Sequence, residues 1–317
     1  MVTQWGRALA VELEITADQA GQRLDRLVKH LAPHIGFGAQ QKWFRTGQVR
    51  LNGKRVKGAE RVETGDLLRL PPQAQRNGPD AREQSAADPR LIDQLRAAIL
   101  LDDGPVLAFD KPTGLAVQGG SKTTRHVDGA LEAFTNAAGE VPRLVHRLDR
   151  DTSGVLLVGR GRQAAAFLTK AFASREARKT YFALVSHWPD DAEAGVIDAS
   201  LLKARVGGEE RVMVDHDHPE AQSAQTLYRV EQRGAQGRVL LSLEPRTGRT
   251  HQLRVHAAHL GGAILGDGKY GQRLPADFAA PRRLYLHAAA LELPHPDGST
   301  LRLSAPLPSA FEQALNA

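Results

Sequence analysis

The chain has 317 residues, of which 41% are hydrophobic and 25% are charged, as in an ordinary globular protein with one large core and a small module. It has no cysteine, which excludes disulfides, thiolate zinc sites and a cysteine nucleophile. The net charge is +6, and no apolar run is long enough to span a bilayer. Residues 1–10 lack the apolar core of a signal peptide, so we expect a cytoplasmic protein.

The positive charge is concentrated near the beginning of the chain. Residues 15–70 contain 11 Lys and Arg against 5 Asp and Glu, so this segment carries the whole net charge of +6. A basic surface on a small module is typical of a protein that binds a phosphate backbone. The alternative is a Lys/Arg face that is merely solvated.

Two helices and a hairpin are predicted within residues 15–70. Apolar residues at helical spacing predict the first helix, and they are Leu24, Leu27, Val28 and Leu31. This helix should stop near Pro33. A second helix is predicted from Ala39 to Thr46, with Gly47 as its C-terminal stop. Asn52-Gly53, within residues 49–56, is the signal of a two-residue β-hairpin turn.

This order of helix, helix and basic hairpin resembles the S4 RNA-binding domain. The matching segments are Arg23-Leu24-Asp25, Arg45-Thr46-Gly47 and Val49-Arg50-Leu51-Asn52-Gly53. The resemblance implies that residues 15–70 form a small S4 domain of the αL-like type, and that its basic side chains contact structured RNA. These side chains are Arg23, Lys42, Arg45, Arg50, Lys54 and Arg55. Trp43 and Phe44 are either stacking platforms for bases or core anchors.

Residues 71–88 are predicted to be a linker, because Pro, Gln, Arg, Ala and Ser dominate and no apolar periodicity survives. Residues 89–317 form the larger domain, opening with a short helix on Leu91, Ile92, Leu95, Ile99 and Leu100. The later predicted strands are Val106–Phe109, Val155–Val158, Tyr181–Val185, Gln225–Glu231, Val239–Leu243 and Leu284–Leu291, and the predicted helices are Gln163–Ala173 and Thr250–Leu260. Strands and helices do not alternate strictly, so we expect an α+β fold in which helices flank a mixed sheet.

A polar loop directly precedes one of the predicted strands. It reads His146-Arg147-Leu148-Asp149-Arg150-Asp151-Thr152-Ser153-Gly154, and the apolar run Val155–Val158 follows. Four apolar residues between two glycines suit a buried strand, and the loop that feeds such a strand is a place where reactive groups are displayed. Asp149, between two arginines, is the candidate reactive carboxylate for an anionic substrate.

Four motifs in order resemble those of the RluA-type pseudouridine synthases. The motifs occupy residues 109–117, 146–154, 179–181 and 246–256. The resemblance extends over nearly the whole chain when the S4-like segment is included. It implies a mixed, mainly antiparallel sheet of the pseudouridine synthase type, with Asp149 as the catalytic residue.

The implied reaction converts uridine to pseudouridine. It breaks the C1′–N bond, turns the uracil and joins C5 to C1′, so no atoms enter or leave and no cofactor or metal is required. Asp149 is either a nucleophile at C1′ or a base at C2′, and both roles remain open. A glycosidase would use a second carboxylate, but Asp151 is better suited to fixing the loop.

The resemblance also assigns roles to side chains outside the signature loop. Tyr181 should lie against the flipped base, and Arg254 should pair with Asp149, which completes the catalytic set. Arg147 should fill the space that the flipped uridine vacates. Lys111 and Arg249 are expected in the substrate-binding set as backbone or phosphate contacts.

His251 is expected in the same substrate-binding set. With His256 and His259 it has the look of a metal cluster, but only His256 and His259 share a helix face, so we predict no metal site.

The expected substrate is ribosomal RNA of the large subunit or its assembly precursor. Residues 117–121 and the signature loop most resemble the RluC branch of the family, although Gln118 stands near a position where that family often has His. The RluD branch, other ribosomal sites and tRNA remain alternatives, as does a catalytically idle assembly factor. We expect a monomer with no membrane association.

Overall fold

The computed structural model describes residues 11–17, 19–32, 35–75, 88–119, 123, 125–271 and 282–317. These residues fall into two structural units, one within residues 1–86 and 119–124 and one over residues 87–118 and 125–317. Much of the predicted linker, residues 76–87, lies outside the described residues. No helix among the described residues is long and apolar enough to cross a bilayer.

The first unit packs two helices against a small antiparallel sheet. The helices are α1 (Leu24–Leu31) and α2 (Phe37–Thr46), and a short 3₁₀ helix, Pro72–Gln75, follows the sheet. The strands are β1 (Val11–Glu14), β2 (Arg50–Leu51), β3 (Lys54–Arg55) and β4 (Leu67–Leu70), in the order β1-β4-β2-β3. The predicted hairpin is present, and Asn52 and Gly53 both have positive φ, as its turn type demands. Gly47 ends α2 in the left-handed conformation, as predicted.

The second unit is built on a ten-stranded sheet. The strands of this unit are β5 (Ile99–Asp103), β6 (Val106–Lys111), β7 (Pro142–Leu144), β8 (Ser153–Arg160), β9 (Arg178–Val185), β10 (Ala194–Asp198), β11 (Leu201–Val206), β12 (Glu209–Val214), β13 (Gln225–Arg233), β14 (Val239–Pro245), β15 (Leu286–Pro294) and β16 (Thr300–Ser304). The central order of the sheet is β10-β13-β14-β9-β15-β8-β6-β5, with β16 beside β15 and β7 beside β8, while β11 and β12 form a separate hairpin.

Helices flank this sheet. They are α3 (Pro89–Ala97), α4 (Val127–Ala130), α5 (Gly161–Ala173), α6 (Gln252–His259) and α7 (Ser309–Asn316), with 3₁₀ turns at Leu131–Phe134 and Ala235–Gly237. Within the described residues, the strand pairs of this sheet are antiparallel except β8 with β15, which run parallel. The expected α+β architecture, with a mixed and mainly antiparallel sheet, is therefore confirmed.

The apolar run of β8 is continuous because both faces of the sheet are covered. Leu156 and Val158 point into a core that contains Leu91 and Leu95 of α3. Val155 and Leu157 point the opposite way, into a core that contains Leu168 of α5, which is buried. Successive side chains of a strand alternate between faces, so a strand buried on both sides needs apolar residues at every position.

The prediction for residues 91–100 was wrong at its end. Helix α3 begins after Asp88, whose carboxylate accepts a hydrogen bond from the amide of Arg90, and it stops at Ala97. Ile99 and Leu100 belong instead to β5, where Ile99 pairs with Phe109 of β6. The hydrogen bonds of the sheet override the helical spacing of these apolar residues. The other predicted elements of this unit are present, with ends displaced by a few residues.

Gly154, the last residue of the signature loop, offers a stability test. Its φ is +105°, and a Cβ there would lie 2.2 Å from the carbonyl oxygen of Ala288 on β15. We predict that Gly154→Ala lowers the free energy of unfolding by about 3 kcal/mol or more, since strain and overpacking add. Gly104→Ala is the matched control, because Gly104 also has positive φ but nothing within 4 Å, and it should cost about 1 kcal/mol. Equal losses in denaturant titrations of the two variants would contradict this account.

Candidate active site

Hydrogen bonds fix the backbone of the signature loop at three consecutive carbonyls. The carbonyl of Asp149 accepts from the amide of Thr152 at 3.2 Å. The carbonyl of Arg150 accepts from Lys111 Nζ at 3.0 Å, and that of Asp151 accepts from Thr113 Oγ1 at 2.7 Å. Leu148, just before them, is buried. The loop is therefore rigid, while the Asp149 side chain remains 42% exposed.

Lys111 lies beneath this loop and is fully buried. Besides Arg150, its ammonium donates to the carbonyls of Pro112 and Leu115, each at 2.9 Å. Burial lowers its pKa to about 7, against the opposing charges of Asp151 and Asp149. The expected substrate contact finds no support here, because the three donors of the ammonium go to backbone carbonyls and the residue does not line the cleft described next.

A cleft of about 740 Å³ opens above the loop. It is lined by six of the seven predicted catalytic and substrate-binding residues, which are Arg147, Asp149, Tyr181, Arg249, His251 and Arg254. They come from the signature loop, from β9, from the segment after β14 and from α6. The volume is that of a typical small-ligand site. Residues that are distant in sequence therefore meet in one place, as the motifs predict.

Arg254 lies between two carboxylates. Its Nη1 is 3.6 Å from Oδ2 of Asp149, which agrees with the implied pairing. Its short contacts, however, go to Asp267, with Nε and Nη2 each 2.7 Å from a carboxylate oxygen. Burial opposes the charged forms, but this pairing outweighs it, so the pKa of Asp267 is lowered and that of Arg254 is raised. Sequence reasoning missed Asp267; the one available signal was an acid between Gly266 and Gly268.

Tyr181 projects from β9 into the cleft. Burial raises the pKa of its phenol, and the nearby charge of Asp149 raises it further, so the hydroxyl stays protonated. A protonated hydroxyl in a cleft can donate to a bound group, and the ring can lie flat against an aromatic base.

Arg147, Arg249 and His146 also line the cleft. Arg147 is exposed and makes no hydrogen bond or ion pair with the described part of the chain. The Nε of Arg249 donates to the carbonyl of Ser223 at 3.2 Å, which fixes this side chain. His146 accepts from the amide of Leu157 at 2.9 Å, and burial lowers its pKa to about 3, so its imidazole is neutral.

His251 departs from the predicted helix. It has φ of +54° and precedes α6, which begins at Gln252 rather than at Thr250. Its Nδ1 is 2.7 Å from the hydroxyl of Tyr270, and its Nε2 is 3.9 Å from Asp149. Such strained backbone, in a non-glycine residue, is common at functional sites.

The other two histidines of the possible metal cluster lie on α6. His256 is buried, with Nδ1 2.9 Å from Thr226 Oγ1 and Nε2 3.1 Å from the carbonyl of Ala199, while His259 is exposed. Within the described ranges, no group of three His, Asp or Glu is placed to hold a metal ion.

The basic residues of the first unit differ in how freely they present their charge. Lys42, Arg45 and Lys54 are exposed. Arg50 and Arg55 are partly engaged with backbone carbonyls. Arg23, in contrast, makes a two-point pair with the carboxylate of Asp25, so its charge is largely neutralised. Trp43 and Phe44 are each 6% exposed, which makes them core anchors rather than stacking platforms.

Comparison with known proteins agrees with this geometry. The family model for RNA pseudouridylate synthases matches residues 105–259. Ribosomal large subunit pseudouridine synthase C of Vibrio cholerae is 37% identical over 312 residues, which cover 96% of this chain and 95% of the relative. The protein of the same name from Escherichia coli is 37% identical over 95% of this chain and 94% of the relative.

Solved structures show the same architecture. Human RNA pseudouridylate synthase domain containing 4 superposes with a TM-score of 0.60 at 28% identity, over 74% of this chain and 96% of that chain. Human RNA pseudouridylate synthase domain containing 1 gives 0.57 at 24% identity, over 67% of this chain and 86% of that chain, which supports the fold. The chain therefore belongs to the RNA pseudouridylate synthase family, and it is an enzyme that isomerises uridine in RNA.

We predict that Lys111→Met lowers both stability and turnover, because the buried carbonyls of the loop lose their donor. The free energy of unfolding should fall by about 1–3 kcal/mol, and turnover by about tenfold or more, with RNA affinity unchanged. Thermal unfolding, RNA titration and rate measurements check this, with Lys170→Met as the control on an exposed lysine of α5. A loss of RNA affinity at unchanged stability would instead make Lys111 a substrate contact.

Proposed function

We propose that this pseudouridine synthase isomerises uridines of large-subunit ribosomal RNA, with Asp149 acting on the sugar either as a nucleophile at C1′ or as a base at C2′. The observation that carries the proposal is the position of the Asp149 carboxylate, which is exposed in the cleft 3.6 Å from the Arg254 guanidinium. The names of the bacterial relatives support large-subunit ribosomal RNA as the substrate.

The arrangement suits chemistry at an anomeric carbon. The sugar becomes electron-poor as the C1′–N bond breaks, so a fixed carboxylate can stabilise it as a nucleophile at C1′ or take a proton from C2′. Arg254 holds that carboxylate by charge. Tyr181 offers a protonated hydroxyl and a ring face to the detached uracil while it turns. The chain's own groups thus supply binding, orientation and one carboxylate.

Access to the uridine requires that it leave its stack. Arg147 is suited to fill the vacated place, because its guanidinium is exposed at the cleft and no described residue engages it. A planar guanidinium can both stack on a base and donate to its edge. Arg249 and His251, which also line the cleft, would contact the flipped nucleotide or its phosphate.

The two units suggest a division of labour. We assign residues 15–70 to an S4 RNA-binding domain, residues 71–88 to a linker and residues 89–317 to the catalytic domain. The helix pair and hairpin of the first unit, with the exposed Lys42, Arg45 and Lys54, support phosphate contacts by that unit. Arg23 is the weakest member of the proposed RNA-binding set because Asp25 pairs with it. We further propose a monomer acting in the cytoplasm, where ribosomal RNA is available.

Replacing the carboxylate of Asp149 tests the proposed chemistry. Asp149→Asn should keep the fold and the RNA affinity but reduce pseudouridine formation in undermodified ribosomal RNA by at least about 10³-fold, because an amide is neither nucleophile nor base. Asp191→Asn is the matched control, since Asp191 is exposed in the turn before β10 and does not line the cleft. Near-normal turnover by Asp149→Asn would remove Asp149 from its proposed role.

The role of the first unit can be tested by salt dependence. Replacing Lys42 and Arg45 together by Ala should weaken RNA binding and make the log–log salt slope shallower by roughly 0.7–0.9 for each phosphate that the protein no longer neutralises. Arg229 and Arg302 replaced together by Ala form the control, because the same charge is removed from residues already paired with Glu231 and Glu292. The same slope change in both double variants would show that net charge alone is responsible.

A further inference from the structure

Asp267 is a buried carboxylate that the chemistry described so far does not use. It is 1% exposed and lies in the segment between α6 and β15. Its Oδ1 accepts from the amides of Lys269 at 2.9 Å and Tyr270 at 3.0 Å, and also from Arg254 Nη2, while Oδ2 accepts from Arg254 Nε. Backbone and guanidinium together therefore fix its position and its charge.

The backbone that carries Asp267 cannot easily shift. Gly266 has φ of +74°, and a Cβ at that position would lie 1.7 Å from the carbonyl oxygen of Arg283. The turn thus packs directly against the neighbouring backbone. Three residues beyond Asp267, the ring of Tyr270 lies 5.2 Å from the guanidinium carbon of Arg254, and its hydroxyl accepts from the amide of Val212. Arg254 is held from two sides by groups that are themselves held.

The two-point pair decides which edge of the guanidinium faces the cleft. A guanidinium has one edge formed by Nε and Nη2 and a second edge formed by Nη1 and Nη2. Asp267 occupies the first edge, and Nη1 on the second edge lies 3.6 Å from Oδ2 of Asp149. Without Asp267, Arg254 would be able to turn that edge toward Asp149. A two-point pair there would engage both oxygens of the carboxylate that must reach the sugar.

We propose that Asp267 is a positioning residue for the isomerisation: it holds Arg254 by one edge and so keeps Asp149 close to a positive charge but free to act on the sugar. This inference rests on the proposed role of Asp149. Asp267 does not touch the substrate and acts only through Arg254.

The test is Asp267→Asn in the full chain, which retains the shape and the acceptor for the two backbone amides but loses the charge. Single-turnover pseudouridine formation on undermodified large-subunit ribosomal RNA should slow by roughly 10²-fold, as expected for a misplaced catalytic group, with RNA affinity within about threefold. In an Arg254→Ala background, the same substitution should have no further effect on the rate, because its partner is absent.

Asp102→Asn is the matched control for a purely structural loss. Asp102 also pairs with a buried arginine, Arg160, but neither residue lines the cleft. This variant should melt at a lower temperature and keep its rate. Asp267→Asn overturns the proposal if it melts lower but also keeps its rate, or if it slows the reaction equally in the Arg254→Ala background.

A second variant covers the case in which Asp267→Asn does not fold. Arg254→Lys retains the positive charge, but a lysine has a single nitrogen and cannot pair with Asp267 along one edge while another nitrogen faces Asp149. The rate of this variant should therefore also fall by at least about tenfold. A rate within about threefold of wild type would overturn the inference. Failure of the proposed function is distinct from both results, because wild-type protein would then leave the RNA unmodified, or Asp149→Asn would retain turnover.

Discussion

The buried ammonium of Lys111 is the interaction on which the site depends. A charge without water is unfavourable unless hydrogen bonds compensate it, and here three backbone carbonyls do so. Two belong to the turn that follows β6 and one to the signature loop, so a single side chain joins segments that lie 39 residues apart in the chain. The exposed carboxylate of Asp149 has a defined position because its backbone is held from below by this lysine and by Thr113.

The sheet brings the remaining groups to the same place. Tyr181 comes from β9, Asp149 from the loop before β8, and Arg254 from α6, and β8 and β9 lie close together because both pair with β15. Gln252 stabilises the entry to α6: its side-chain amide donates to Gln225 and Thr226, and its oxygen accepts from Thr247 and from the amide of Arg249. Rigid supports of this kind preserve catalytic geometry between turnovers.

Local sequence patterns predicted much of this architecture. The hairpin at Asn52-Gly53 and the buried strand at Val155–Val158 follow from residues adjacent in the chain, and the cleft-lining residues follow from the family motifs. The second carboxylate beside Arg254 could not be predicted, because Asp267 is 13 residues away and only the folded turn brings its carboxylate to the guanidinium. The burial of Lys111 could not be predicted for a similar reason. A lysine beside a turn looks the same in the sequence whether its ammonium binds backbone carbonyls or a phosphate. Ile99 was assigned to a helix because its apolar spacing is helical, whereas its pairing with Phe109 becomes evident only in the folded sheet.

The parallel pairing of β8 with β15 bears on how the protein acquires its activity during synthesis. Ser153 and Gly154 pair with His287 and Ala288, which lie far later in the chain. The ribosome makes these partners long after the signature loop, and contacts between distant segments form slowly. A nascent chain that has been made past Arg254 but not yet to residue 286 therefore contains Asp149, Tyr181 and Arg254 but lacks β15, the strand between β8 and β9. The sheet that positions these three groups can close only once residues 286–294 have been made.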